Sequence, residues 1–200
     1  MHSTEVSLQA KDAREFIGHF RTEIEESVAI RTILLAASTN RMADAFADRP
    51  VHLHDLIGKA LLQRQLMLLM RLYDHESCDR ACLMRLFGLL SVPEVRRLVA
   101  AHGREPTIQA ATELWESLRN DPRKASLRKI RDRVSAHNLL EERRSLDKVA
   151  YDEFWNFSRD TERLVEHLAV GSGIVLVSLA SVEEIWSKRA DEYWRQATRQ

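Results

Sequence analysis

An all-α protein, an antiparallel helical bundle with additional short helices, is the fold class that this sequence predicts. Apolar residues recur at three- and four-residue intervals through most of the chain, which is the period of an amphipathic helix. No pair of alternating apolar runs is joined by a hairpin turn, so no part of the chain predicts a sheet. The prolines fall between the periodic segments, where a proline fits the first turn of a helix; they are Pro50, Pro93, Pro106 and Pro122.

The periodic segments predict about seven or eight helices. Phe16, Phe20 and Ile24 step along one face of the first helix. The second is apolar around most of its circumference, so we expect it to be central. The first six predicted helices cover about 7–39, 54–73, 78–90, 93–102, 107–119 and 122–137, and two amphipathic helices follow around 151–168 and 182–194.

Several helix boundaries carry start signals. Asp121-Pro122 is the clearest, an acidic N-cap followed by proline at the first helical position. The segments 91–94 (Ser-Val-Pro-Glu) and 181–184 (Ser-Val-Glu-Glu) match the capping-box pattern. The apolar run 174–177 (Ile-Val-Leu-Val) is strand-like locally, but it has no second strand to pair with, so we predict a buried helix there.

Size and composition fit one globular domain spanning residues 1–200. The chain is 44% hydrophobic and 30% charged, which excludes a disordered or fibrous class. The 30 lysines and arginines are balanced by 30 aspartates and glutamates. No global field therefore attracts nucleic acid or membrane, and any such affinity must come from local clusters of charge.

The sequence also predicts a soluble, cytoplasmic protein with no membrane association. Its start lacks the layout of a signal peptide, and its longest apolar run, 168–179, is too short to cross a bilayer. Cys78 and Cys82 are the two cysteines; at four-residue spacing they would share one face of a helix. They imply no disulfide framework, so a reducing compartment suits the chain.

One segment of this neutral chain is strongly basic. Residues 119–137 contain seven lysines and arginines but only two aspartates. This charge indicates either a phosphate-binding surface or a solvated helix face whose acidic partners lie on neighbouring elements. In the first interpretation the nucleic-acid-binding candidates are Arg123, Lys124, Arg128, Lys129, Arg133 and Asn138.

The end of this segment contains residues suited to cutting RNA. The imidazole of His137 titrates near neutrality, so it can take and return a proton. The guanidinium of Arg131 keeps its charge and grips a phosphate through two donors. RNA carries its own nucleophile in the 2′-hydroxyl, so this chemistry needs no metal in principle.

No cluster in the sequence has convincing metal-ligand spacing, and we predict neither a metal nor another cofactor. The nearest candidate, His52-Leu53-His54-Asp55, is typical of exposed polar residues near a helix start. The tryptophans fall at helical core spacing and are expected in the core rather than as base-stacking platforms. They are Trp115, Trp155, Trp186 and Trp194.

Helix geometry complicates the pairing of Arg131 with His137. At 100° per residue the two lie about 120° apart around an ideal helix, so a single straight helix does not stack them. Arg133 and His137, four residues apart, do share a face. Either the helix ends near His137, or a second subunit supplies part of the site, which is a reason to expect a dimer.

The spacing Arg131-Asp132-x4-His137 resembles the signature of the HEPN superfamily, an arginine, then a polar residue, then a histidine after a short spacer. The words Lys-Ile-Arg-Asp-Arg at 129–133 and Ala-His-Asn at 136–138 resemble its abortive-infection branch. Arg-Leu-Tyr-Asp at 71–74 and the final helix with Tyr-Trp at 193–194 add to the likeness. The resemblance covers roughly residues 10 to 195.

This resemblance implies a helical bundle that forms a homodimer and brings two copies of the motif into one cleft. Many members of the superfamily are metal-independent endoribonucleases of toxin–antitoxin or phage-defence systems. By that likeness Arg131 and His137 would be the catalytic pair, and Asp132 would orient the arginine. RNA would be the substrate, and an antitoxin protein a further partner.

Two other functions stay open at this point, because some members of the superfamily have lost activity. The first is a non-catalytic module that binds nucleic acid or a nucleotide through the same basic face. The second is a protein-interaction subunit of a defence system. Arg71 and Asp74 could line the cleft or pair structurally, and we expect the structural role.

Overall fold

The computed structural model describes residues 2–39, 52–73, 81–128, 148–175 and 177–199. The helices are α1 (His2–Thr39), α2 (His52–Leu72), α3 (Leu83–Leu90), α4 (Pro93–Val99), α5 (Glu105–Leu118), α6 (Lys148–Gly171) and α7 (Leu179–Arg199), with a 3-10 turn at Ala100–His102. Residues 123–128 are also helical. These stretches contain no strand, so the all-α prediction is confirmed.

The long first helix organises the bundle. α1 packs against α7, α6, α2, α4 and α3, and α5 packs against α6. The face of α1 that enters the core is continuous over several turns because its apolar residues recur every three or four positions. It consists of Ala13, Ile17, Phe20, Ile24 and Val28, each no more than 1% exposed.

The caps at two helix starts differ from the sequence prediction. The helix after Ser91 begins at Pro93, and Ser91 Oγ donates back to the Gly88 carbonyl at 2.7 Å, so this serine serves the end of α3. The last helix begins at Leu179, and the backbone N–H of Ser181 donates to Ser178 Oγ at 3.2 Å. The capping-box prediction is therefore wrong for Ser91. For Ser181 it places the start of the helix three residues too far along the chain.

The end of α6 is a Schellman motif. The Ile174 N–H donates to the Ala169 carbonyl at 3.0 Å, and the Gly173 N–H donates to the Val170 carbonyl at 3.2 Å. Gly173 has φ of 71°, the left-handed conformation that this motif requires and that glycine adopts without strain.

The predicted buried helix at 174–177 is wrong. The motif stops α6, and Ile174 and Val175 are not helical. Val177 is half exposed, and its carbonyl accepts a hydrogen bond from Arg21 Nη2 at 2.9 Å. The Val177 carbonyl is therefore satisfied by a side chain on α1 rather than by a helix or a sheet.

The third helix is shorter than predicted. Ala81 and Cys82 are not helical, and Cys82 is the extended residue that precedes α3. Its place outside the helix contradicts the idea that the two cysteines share a helical face, and Cys78 lies outside the described residues.

Within the described ranges, no helix is both long and apolar enough to cross a membrane. In the same ranges, histidine, cysteine and acidic side chains form no group of three that could hold a metal ion.

Candidate nucleic-acid interface

The basic segment starts with the helix that its sequence predicts. The backbone N–H of Arg123 donates to Asp121 Oδ1 at 2.8 Å, with Pro122 between them. This is the contact of an N-cap side chain with the second helical residue. The predicted start of this helix at Asp121-Pro122 is confirmed, and residues 123–128 follow as helix.

Arg123 is held by acidic groups on two elements. Its Nη2 lies 2.6 Å from Asp121 Oδ2 and 2.8 Å from Asp160 Oδ2 on α6. Its guanidinium also lies over the ring of Phe157, 5.4 Å from the centroid. The hydrogen bonds from Arg123 lower the pKa of Asp121, while those that Arg123 makes with Asp121 and Asp160 raise its own. The charge of Arg123 is therefore compensated within the fold, as in the solvated-face interpretation.

Lys124 is drawn onto the body of the protein. Its ammonium lies 5.3 Å from the centroid of the Tyr73 ring and donates to the carbonyl of Arg119. Burial lowers the pKa of Lys124, and the neighbouring positive charge of Arg128 lowers it further. These contacts direct the Lys124 side chain toward structural partners.

A row of aromatic rings in contact with one another supports this part of the helix. Phe87 and Trp115 have centroids 5.0 Å apart, Trp115 and Tyr73 6.0 Å, and Tyr73 and Phe157 5.1 Å. The Tyr73 hydroxyl lies 3.0 Å from Thr161 Oγ1, and burial raises its pKa. Arg123 and Lys124 lie over the last two rings of this row, those of Phe157 and Tyr73. The aromatic core therefore sets the position of the helix at 123–128.

Of the three phosphate-ligand candidates in the described ranges, Arg128 is the one that the fold leaves available. Leu127 next to it is 2% exposed and anchors this turn in the core. Arg128 is partly exposed, and within the described ranges no acidic side chain forms an ion pair with it. The outward charge of this turn therefore comes from Arg128.

Six of the predicted site residues lie outside the described residues. They are Lys129, Arg131, Asp132, Arg133, His137 and Asn138. Their assignment as catalytic or nucleic-acid-binding residues stays a prediction. The three described candidates, Arg123, Lys124 and Arg128, share the first turns of one helix, and two of them are engaged inside the fold.

Other sequence predictions can be placed. Trp115 and Trp194 are each 5% exposed, as expected of core residues, and Trp155 and Trp186 are partly buried. Arg71 forms an ion pair with the buried carboxylate of Glu23, which agrees with the structural role expected for it.

A buried polar network between α1, α2, α6 and α7 was not predicted from the sequence. Arg31 lies at its centre, where its Nε and Nη2 donate to the two carboxylate oxygens of Glu162 at 3.1 and 2.8 Å. Its Nη1 donates to Glu183 at 2.9 Å. Gln65 donates to the hydroxyls of Ser27 and Ser158 at 2.6 and 2.8 Å. The detectable signal was an arginine on the otherwise apolar face of α1, seven residues after Ile24.

One family of known proteins matches this chain. The family model of AbiU2, an HEPN family, matches residues 11–175, which is most of the chain. The matched range contains most of α1, all of α2 to α6 and the whole basic segment. Neither the curated proteins nor the solved structures give a match.

Proposed function

Because the chain belongs to the AbiU2 family of HEPN domains, we propose that it is a metal-independent endoribonuclease of an abortive-infection or toxin–antitoxin type of system. The observation that carries this proposal is the match over residues 11–175 of a chain in which Arg131, Asp132 and His137 are all present. The proposed site of action is the cytoplasm, and an antitoxin protein is the proposed regulatory partner.

In the proposed reaction the 2′-hydroxyl of the RNA attacks the adjacent phosphorus. The new P–O2′ bond forms as the P–O5′ bond breaks, leaving a cyclic phosphate and a 5′-hydroxyl. His137 moves the proton that this exchange requires, since an imidazole both accepts and donates protons near neutral pH. Arg131 balances the negative charge on the phosphate oxygens, and Asp132 orients its guanidinium.

The described part of the basic segment supports a supply of positive charge at this site. Arg128, which is partly exposed, lies only three residues before Arg131 in the sequence. The helix before it is fixed by the Asp121 cap, the ion pairs of Arg123 and the buried Leu127. A site that positions catalytic groups needs firmly anchored elements beside it, and the described start of the basic segment, residues 121–128, is such an element.

Two copies of the motif would complete the site in a homodimer. Arg131 and His137 do not share a face on one ideal helix, so an arginine from one subunit beside a histidine from the other resolves the geometry. The phosphate would then be gripped from one subunit while the proton is moved from the other.

The test is RNA cleavage in the presence of EDTA. The wild type should cut single-stranded RNA, while Arg131→Ala and His137→Ala should each lower the rate by at least about a hundredfold, because each removes a catalytic group. The matched control is His102→Ala, which removes an exposed histidine from the 3-10 turn and should leave the rate unchanged.

Circular dichroism of each variant checks that the fold is retained. Cleavage that requires added metal, or that survives both substitutions, would contradict the proposal. A wild-type dimer that leaves varied RNAs uncut but binds them with an affinity independent of His137 would favour the non-catalytic binding module instead.

A further inference from the structure

A cavity of about 350 Å³ lies between α3, α4 and α5. Its floor is formed by Phe87, Leu90 and Trp115, whose side chains are each less than a tenth exposed. The rings of Phe87 and Trp115 lie face to face, with 3° between their planes and 5.0 Å between their centroids, and Tyr73 stacks on Trp115 as well. The floor is therefore a tightly packed apolar surface, which favours an apolar group.

The rim of this cavity is positively charged. Two arginines, Arg96 and Arg119, line it together with one carboxylate, Glu116. Arg119 Nη2 is paired with Glu116 Oε2 at 2.9 Å. Arg96 has weaker partners: Gln109 Oε1 at 3.3 Å from its Nη1, and Glu105 Oε1 at 3.7 Å from its Nε. The Arg96 guanidinium is therefore the weakly compensated charge of the rim.

The Arg96 side chain can be reached from the cavity. It lines the cavity and is 31% exposed, although its Nε is buried and makes no hydrogen bond. An anionic ligand on the accessible side of Arg96 would add the charge-assisted hydrogen bonds that its weak protein partners do not provide.

Gly88 lines the cavity without a side chain of its own. It lies inside α3, where glycine is a poorer helix former than alanine. A Cβ atom on Gly88 would meet nothing within 4 Å, so close packing does not require a glycine there. Because Gly88 is exposed, a larger side chain at this position has room to extend over the cavity.

We propose that this cavity binds a small molecule with an apolar body and one anionic group, either a carboxylate or a phosphate monoester. The body lies against Phe87 and Trp115, and the anion is held by Arg96. The site is formed by the helices before the basic segment, and its occupant is independent of the proposed cleavage of RNA.

Calorimetric titration of the full chain tests this with matched probes. We expect 2-naphthoate to bind at one saturable site, and neutral 2-naphthamide to bind about tenfold more weakly, because it lacks the charge-assisted hydrogen bond. Titration with 1-naphthyl phosphate distinguishes the two anions: the tighter of the two anionic probes identifies the head group. Failure of both to saturate at millimolar concentration would overturn the proposal.

Two variants locate the binding. Arg96→Gln should weaken 2-naphthoate about tenfold and leave 2-naphthamide unchanged, while Arg97→Gln, an exposed neighbour on α4, should change neither. Gly88→Leu should fill the cavity and remove binding of both probes. Its thermal melt shows whether it folds; if it does not, Arg96→Gln decides alone. Binding that survives Gly88→Leu in a folded protein, or that is indifferent to Arg96, would place the probe elsewhere and contradict the proposal.

Discussion

At the scale of single residues, the buried guanidinium of Arg31 is the clearest case of a charge that the fold must compensate. Arg31 is 2% exposed, and isolated charges are strongly disfavoured in such surroundings. Its two-point contact with Glu162 is completed by the hydroxyls of Ser27 and Ser158, which donate to the same carboxylate at 3.3 and 3.0 Å. The Arg31 guanidinium also holds the pKa of Glu183 below its usual range. The network therefore ties α7 to α1 and α6.

We predict that Arg31→Leu lowers the free energy of unfolding by about 3–5 kcal/mol, because Glu162 would be left buried without its cation. The matched control is Arg64→Leu. Arg64 makes the same two-point contact with Glu26, at 2.8 and 2.9 Å, but both side chains are about half exposed. Its loss should cost only about 0–1 kcal/mol.

Urea denaturation of both variants measures the difference. If both variants lowered the free energy of unfolding by a similar small amount, water would have access to the Arg31 network in solution. That result would contradict the account of a buried cluster whose charges compensate one another.

At the scale of elements, the contact between the 3-10 turn and the end of α6 depends on glycine. The Arg104 N–H donates to the Gly171 carbonyl at 3.0 Å, which brings the two backbones into direct contact. A Cβ on Gly103 would overlap the carbonyl group of Gly171, and backbone atoms have little freedom to move aside. This junction sets how α5 enters the bundle beside α6.

Gly103→Ala should therefore destabilise the protein by about 1–3 kcal/mol through this overlap. Gly18→Ala is the control, because a Cβ at Gly18 in the middle of α1 meets nothing within 4 Å. It should stabilise the protein by about 0.5–1 kcal/mol through helix propensity. Thermal melts followed by circular dichroism give both signs, and a neutral or stabilising Gly103→Ala would show that the contact is looser than described.

The elements also show which structural features a sequence can predict. The Asp121 cap was predictable because its donor lies two residues away. The cap at Ser91 was mispredicted because this serine bonds back to the end of the preceding helix, and Val92 precedes the next one. The cap at Ser181 was mispredicted because Ser178, which lacks the capping-box pattern, accepts the hydrogen bond at the helix start. The run at 174–177 was misread as helix because the stop signal, Gly173, acts through a left-handed backbone rather than through hydrophobic periodicity.

At the scale of the whole molecule, the candidate site could be predicted only in part. The motif residues and the basic charge are visible in the sequence because they lie close together in it. The neutralisation of Arg123 by Asp160 was not visible, since the pair is separated by 37 positions and forms only when α6 packs beside the basic helix. For the same reason the network of Arg31, whose partners are 131 and 152 positions away, escaped the sequence analysis.

The distribution of charge gives a prediction for RNA binding. Arg128→Glu combined with Lys129→Glu should weaken RNA binding and reduce the slope of log affinity against log salt by about two, since two phosphate contacts are lost. The control is Lys11→Glu combined with Lys188→Glu, which reverses two cations that are 72% and 75% exposed on other helices. Fluorescence anisotropy across a salt series measures both; equal effects of the two pairs would mean that RNA responds to net charge alone.

The most direct test of the central claim, that Arg131 and His137 cut RNA at a site shared between two subunits, is complementation between inactive variants. Arg131→Ala and His137→Ala protein are mixed, exchanged as dimers and assayed with RNA and EDTA. Half of the dimers then contain one subunit of each variant. In each of these heterodimers one of the two shared sites has both Arg131 and His137, so about a quarter of the wild-type activity should return. A mixture that exchanges subunits but stays as inactive as either variant alone would contradict the shared site.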